Sequence, residues 1–161
     1  MPTPQIHPSS FIHPLAYVSG DVTVGARVSI WPFASIRGDS DAVTIGDDSN
    51  VQDGCVIHVD DNIPCNIGKR VGIGHRAIVH GAVVEDNVLI AMGAILLNGA
   101  RVGSGSIIGA GAVVREDFVV PPNSLVLGVP GRIVRETTLE ERGRIARTVE
   151  SYLELQQTYR A

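Results

Sequence analysis

Seven residues able to do chemistry fall between positions 37 and 80: Arg37, Asp39, Gln52, Asp53, His58, His75 and His80. Neutral imidazoles are the usual donors of a catalytic zinc site, which takes three protein ligands and leaves a fourth position open. Carboxylates and a guanidinium beside such a site orient the ligands and fix local geometry. A lone outward histidine carries no such meaning, and His7 and His13 are read that way. Whether the other three can act together depends on the elements that place them.

Those elements follow from a repeat. The chain of 161 residues contains 22 Val, 16 Ile and 18 Gly, against only 4% aromatic residues. Val and Ile favour strands and Gly breaks helix interiors, so a Leu-rich helical bundle is excluded. From Ile12 an aliphatic residue recurs every sixth position through Val18, Val24, Ile30 and Ile36. After a three-residue insertion the phase resumes at Ile45, Val51 and Ile57, and after four extra residues at Ile67, Ile73 and Val79. One residue is then lost, and the series continues from Val84 to Val120. Gly often follows the aliphatic residue, and four positions on stands a small or β-branched one, such as Ala34, Cys55, Ala77, Val83 or Ala94.

A period of six is neither a helix stripe nor strand alternation. It predicts an all-β solenoid in which each unit is one short strand plus a corner eased by glycine, with both repeated residues pointing inward. Three units close one triangular coil, so eighteen units predict about six coils stacked at roughly 4.8 Å. A prism this narrow has no room for rings.

Counting now places side chains. Val79 is three units after Ile57, so His58 and His80 stack on adjacent coils, with Arg37 one coil below. Asn98 lies on the same face one coil above His80. Asp53 and His75 form a second ladder on a neighbouring face, with Gln52 beside Asp53. His75 and His80 belong to consecutive faces and diverge within one chain. In a side-by-side trimer, face one of a subunit can meet face two of the next. His58 and His80 then converge with His75 of a neighbour.

Pro121-Pro122 is expected to end the coiling, and Gly128-Val-Pro-Gly131 reads as a turn. Thr138-Leu-Glu-Glu141 is a capping-box pattern, after which Ile145, Val149, Tyr152 and Gln156 share one helix face. The expected organisation is a repeat domain with short capping segments over residues 1–136 and a C-terminal helix over 137–161, packed on a flat face. A net charge of −4, with one Lys and scattered Arg, argues against nucleic acid. No apolar stretch is long enough to span a bilayer, and no secretory signal is seen. Cys55 and Cys65 match no metal or redox spacing. A cytoplasmic location is expected.

Arg37-Gly-Asp39, then Gln52-Asp53 with His58 five residues later, then His75 and His80, resemble the signature of the γ-class carbonic anhydrases, a branch of the hexapeptide-repeat proteins. The resemblance covers nearly the whole chain. It implies a left-handed parallel β-helix with a C-terminal α-helix, and a homotrimer with metal sites at its subunit interfaces. It makes His58, His75 and His80 ligands of zinc (iron or cobalt are possible), which lowers the pKa of bound water toward ~7 for attack on carbon dioxide. It further implies that Gln52 orients the hydroxide or binds bicarbonate, that Arg37, Asp39 and Asp53 form a supporting interface network, and that Tyr152 matches a site tyrosine.

Two positions depart from the prototype of that family. Ser40-Asp41-Ala42-Val43 lacks its proton-shuttling glutamate, for which Asp60 and Asp61 in the next loop are candidate substitutes, and Glu154 stands where the prototype has asparagine. Two other functions stay open: acyl-CoA thioester hydrolysis or another acyl-group chemistry of the same branch, and a non-catalytic metal-binding scaffold. A transferase using one catalytic His would not require three histidines in register.

Overall fold

The computed structural model describes residues 2–160; Met1 and Ala161, the outer bounds of the two expected segments, lie outside the described residues. Most strands are two or three residues long and pair in parallel with the strand one coil away, forming a solenoid of about seven coils. Face one stacks Phe11–Ile12, Ser29–Ile30, Asn50–Val51, Gly72–Ile73, Leu89–Ile90, Ile107–Ile108 and Ser124–Leu127. Two longer strands, Tyr17–Val24 and Ser35–Ile45, run from face two into face three. Face two continues through Val56–His58, Ile78–His80, Ile95–Leu96 and Val113–Val114. Face three continues through Cys65–Ile67, Val83–Val84, Arg101–Val102 and Val119–Val120.

The inward aliphatic column is the core. Ile30, Ile36, Ile57, Ile73, Ile90, Leu96 and Ile108 are fully buried, as are the small inward residues Ala34, Cys55, Ala77, Ala94 and Ala112. Burying each large side chain stabilises by about 1.5–3 kcal/mol. At the shortened unit the expected inward residue Val83 instead faces outward and Ala82 takes its place, fully buried. The missing residue leaves too little chain to reach Val83 with the same phase.

Glycine does less at the corners than its frequency implies. The left-handed residue stands three positions after the inward aliphatic one, and Arg27, Phe33, Asp48, Arg70, Arg76, Asn87, Asp117 and Asn123 adopt it without being glycine. The glycines directly after the aliphatic residue serve coil stacking. A Cβ on Gly46 would lie 2.6 Å from the Gly68 carbonyl carbon.

Coiling also continues past Pro121-Pro122. Ser124–Leu127 adds a further parallel strand on face one, and Gln5–Ile6 adds one on face three at the other end. Each coil donates N–H groups to the next, as Gly103 N does to Val120 O. Val119–Val120 ends its face, so a proline after it forfeits no hydrogen bond there. The turn over 128–131 then leads into Arg132–Glu136, antiparallel to Ser124–Leu127.

Helix α1 spans Leu139–Tyr159 and starts at the expected capping box of Thr138 and Glu141. It buries Ile145, Val149 and Gln156 and contacts face one at Ser29–Ile30 and Gly72–Ile73. The rings excluded from the prism collect there: Trp31 packs against Phe11, Tyr152 and Tyr159 at centroid distances of 5.4, 5.4 and 5.1 Å. Among the described residues no helix is long and apolar enough to cross a membrane.

Candidate metal centre

The register of face two pairs His58 with His80, following directly from Val56 opposite Ile78 and Ile57 opposite Val79. Both rings are half-buried and their centroids lie 5.1 Å apart. His58 Nδ1 sits 3.1 Å from His80 Nε2. His58 Nε2 contacts Asp39 Oδ1 at 2.7 Å, and Asp39 Oδ2 is paired with the Arg37 guanidinium at 2.5 Å. The hydrogen bond from His58, with Arg37 beside it, holds the Asp39 carboxyl below its usual range despite partial desolvation. On the other side, His80 Nδ1 contacts Asn98 Oδ1 at 2.6 Å, and Asn98 Nδ2 donates to Asp60 Oδ2 at 2.7 Å.

This chain of contacts fixes both tautomers. The Asp60 carboxylate can only accept, so it sets the orientation of the Asn98 amide and presents the amide oxygen to His80. That oxygen also only accepts, so His80 Nδ1 carries the proton. Ionised Asp39 likewise requires the proton on His58 Nε2. The two nitrogens facing each other, His58 Nδ1 and His80 Nε2, are then both lone pairs in the neutral rings. Two lone pairs 3.1 Å apart repel unless a cation lies between or in front of them. Two Zn–N bonds of about 2.0–2.1 Å at a tetrahedral angle would set such nitrogens roughly 3.3 Å apart. The donor pair, each ring held from behind by an acceptor, fits a divalent metal.

The remaining candidates form a second group. His75 Nδ1 pairs with Asp53 Oδ2 at 3.1 Å on the edge after face one, and both side chains are about half exposed. His75 is not among the clustered donors of His58 and His80 in this chain. Gln52 is buried, and its Nε2 donates to Asn50 Oδ1 at 3.0 Å. Tyr152 stacks edge-on to Trp31, and burial, with the negative charge of Asp53 next in weight, pushes its phenol up to about 12. The chain thus gathers Arg37, Asp39, His58 and His80 on face two, while Gln52, Asp53, His75 and Tyr152 lie apart from them. Asp60, which counting puts only in a loop, is brought to the histidine pair through its contact with Asn98. Burial pushes the thiols of Cys55 and Cys65 up to about 12, making both inert core residues.

Comparison with known proteins places the chain in a family. The bacterial transferase hexapeptide family (six repeats) matches residues 3–38 and 81–116. A Methanocaldococcus jannaschii protein named probable carbonic anhydrase is 55% identical over 143 residues, 89% of this chain and 90% of its own length. A Geobacillus kaustophilus carbonic anhydrase is 42% identical over 159 residues, 99% of this chain and 87% of its own. The chain belongs to the γ-class carbonic anhydrase family of hexapeptide-repeat proteins. Its similarity extends beyond relatives that carry that family name. The carnitine operon protein CaiE of Citrobacter koseri is 42% identical over 138 residues, 86% of this chain and 70% of its own. The crystal structure of a hexapeptide transferase family protein from Anaplasma phagocytophilum superposes with a TM-score of 0.93 at 33% identity, covering 97% of this chain and 92% of that one.

Proposed function

We propose that the protein is a carbonic anhydrase: a homotrimer that reversibly hydrates carbon dioxide to bicarbonate at metal centres shared between subunits. The observation that carries the reading is the approach of His58 Nδ1 to His80 Nε2 at 3.1 Å, with Asp39 and Asn98 each contacting the other nitrogen of one ring. An outward column of Tyr17, Ser35, Val56, Ile78, Ile95 and Val113, apolar but for Ser35, runs beside these histidines, and α1 covers a different face. A second copy laid along that column buries it, and the edge bearing Asp53 and His75 is the neighbour that would complete the donors.

His58 and His80 of one subunit and His75 of the next would hold a zinc ion, with iron or cobalt as alternatives. Such an ion supplies the Lewis acidity that makes water a nucleophile at neutral pH. Asp39 and Asn98 keep the protons of His58 and His80 on the nitrogens turned away from the site. Asp53 orients His75 through the same kind of bond. Gln52 supplies an amide to hold bicarbonate or the attacking oxygen, and Tyr152, protonated at neutral pH, serves as a donor beside Asp53. Asp60 and Asp61, in the loop after His58, would substitute for the family's loop glutamate as proton carriers. The test is stopped-flow carbon dioxide hydration by zinc-loaded protein. Wild type accelerates it, while His75→Ala and His58→Ala are each inactive and regain part of the rate after subunit exchange. A fully metallated wild type with no hydration sinks the reading.

A second reading rests on the cleft of about 500 Å³ beside Asn98, lined by Ile63, Pro64 and Val83 as well as polar groups. That volume exceeds what carbon dioxide needs and admits an acyl chain, so thioester hydrolysis is its direct assay.

A further inference from the structure

Toward the C-terminal end of the prism, two clefts flank the turn that joins Val113–Val114 to Val119–Val120, and they differ in charge. Glu116 and Asp117 line the cleft beside Asn98, where a single cation, Arg101, accompanies them. Arg115 and Phe118, from the same turn, line the other cleft, of about 390 Å³, which Pro130, Gly131, Arg132 and Ile133 close. That lining holds two guanidiniums and no carboxylate. The chain as a whole carries a net charge of −4, so the cleft is a local reversal of sign. Arg27, Arg37, Arg70 and Arg135 are each paired with a carboxylate, whereas among the described residues no salt bridge involves Arg115 or Arg132. Both arginines stand on ordered chain. The Arg115 guanidinium carbon lies 5.6 Å from the centroid of the Phe118 ring, which packs against the core. Arg132 opens the strand Arg132–Glu136, and Gly131 N just before it donates to Val113 O at 2.8 Å, tying the roof of the cleft to its floor.

We propose that this cleft binds the phosphate ester of a small organic molecule, with Arg115 and Arg132 on the phosphate. A guanidinium presents a planar fork of donors that matches phosphate oxygens, and two of them can share one dianion. Two like charges on one cleft repel each other, and a dianion between them turns that repulsion into attraction. The rest of the lining is apolar: Phe118, Pro130 and Ile133 offer a wall for an organic body, in a volume within the usual range of small-molecule sites. Inorganic phosphate meets the charge but leaves that wall bare, and bicarbonate carries one charge and fills little of the space. None of the residues assigned to the metal centre lines this cleft, so the inference stands apart from the function proposed above.

The experiment is calorimetric titration of the full chain with phenyl phosphate and, separately, with inorganic phosphate. The variants are Arg115→Gln, Arg132→Gln, their double, and Ile133→Ser. All three positions are exposed, so the fold is retained, which melting temperatures check. Each single arginine variant is expected to bind phenyl phosphate roughly 10–100-fold more weakly, the loss of hydrogen bonds to a charged group. Ile133→Ser should weaken phenyl phosphate and leave inorganic phosphate unchanged. Added salt should weaken both probes in wild type, since the arginines are exposed. Phosphate held by a metal ion elsewhere would persist in the double arginine variant, so the difference from wild type reads this cleft alone. Three results overturn the proposal: no saturable binding of phenyl phosphate to wild type, equal affinity in wild type and the double variant, or inorganic phosphate bound as tightly as the ester. Each is independent of whether the protein hydrates carbon dioxide.

Discussion

Replacing Asn98 by Leu removes the group that holds His80 from behind while keeping side-chain size. Two hydrogen bonds go: His80 Nδ1–H to Asn98 Oδ1 at 2.6 Å, and Asn98 Nδ2–H to the Asp60 carboxylate at 2.7 Å. Without the first, the His80 proton is free to move to Nε2, the nitrogen that faces His58 and must stay bare to bind metal. Outer-shell partners of metal-bound histidines are worth 10–100-fold in affinity, so Asn98→Leu should weaken Zn²⁺ binding by about 1.4–2.8 kcal/mol. Chelator competition measures this, and ¹⁵N–¹H spectra of the imidazoles in metal-free protein report the tautomer directly. The shift of His80 away from the Nδ1–H form separates a positioning role from a loss of packing. Gly81→Ala approaches the same bond from another side. Its Cβ would lie 2.5 Å from Asn98 Oδ1, at a backbone φ of +54° that a side chain disfavours. Displacing Asn98 in this way should lower affinity in the same direction. Unchanged zinc affinity and an unchanged His80 tautomer in Asn98→Leu would refute the reasoning, because no other group among the described residues is bonded to His80 Nδ1.

Ile73→Ala should destabilise the solenoid by about 2–5 kcal/mol in denaturant unfolding, since a fully buried side chain in a narrow prism leaves a cavity the neighbouring coils cannot fill. Gln156→Leu should lower the melting temperature by an amount equivalent to about 1–3 kcal/mol, because Gln156 is buried and is the donor to Arg27 O; an unchanged midpoint would mean that carbonyl finds water. Glu141 has its pKa lowered to about 2 by the Arg135 hydrogen bonds and the Thr138 backbone. Its contribution is therefore present above the unfolded carboxylate value near ~4.3 and fades as pH falls toward 2. Glu141→Gln should flatten that part of the stability profile, and parallel acid-unfolding curves for the two proteins would count against it.

The repeat made residues in phase legible and left residues out of phase obscure, for a geometric reason. His58 over His80 follows from counting because neighbouring coils pair residue by residue, and the register is as expected. Val83 was misplaced because a lost residue shows that the phase slips without showing where, and the slip falls at Ala82. Glycine marks only some of the corners, Gly54, Gly93, Gly99, Gly105 and Gly111 among them, because the left-handed position also accepts Arg, Asp and Asn, while the glycines directly after the aliphatic residue mark coils in close approach. Asp60 lies in an insertion, and its contact with Asn98 spans 38 residues that no period connects.

The same geometry explains why an insertion matters to the chemistry. Side chains of one column point the same way and rise by roughly 4.8 Å per coil. Two neighbours such as His58 and His80 can therefore share an ion. A third member of the column would stand roughly 9.6 Å from the first and could not close around it. A three-donor site on a solenoid face must take its last ligand from a residue that leaves the repeat or from another chain. In the function proposed above that last ligand comes from another chain, because His75 lies on the edge after face one, apart from His58 and His80 of its own chain.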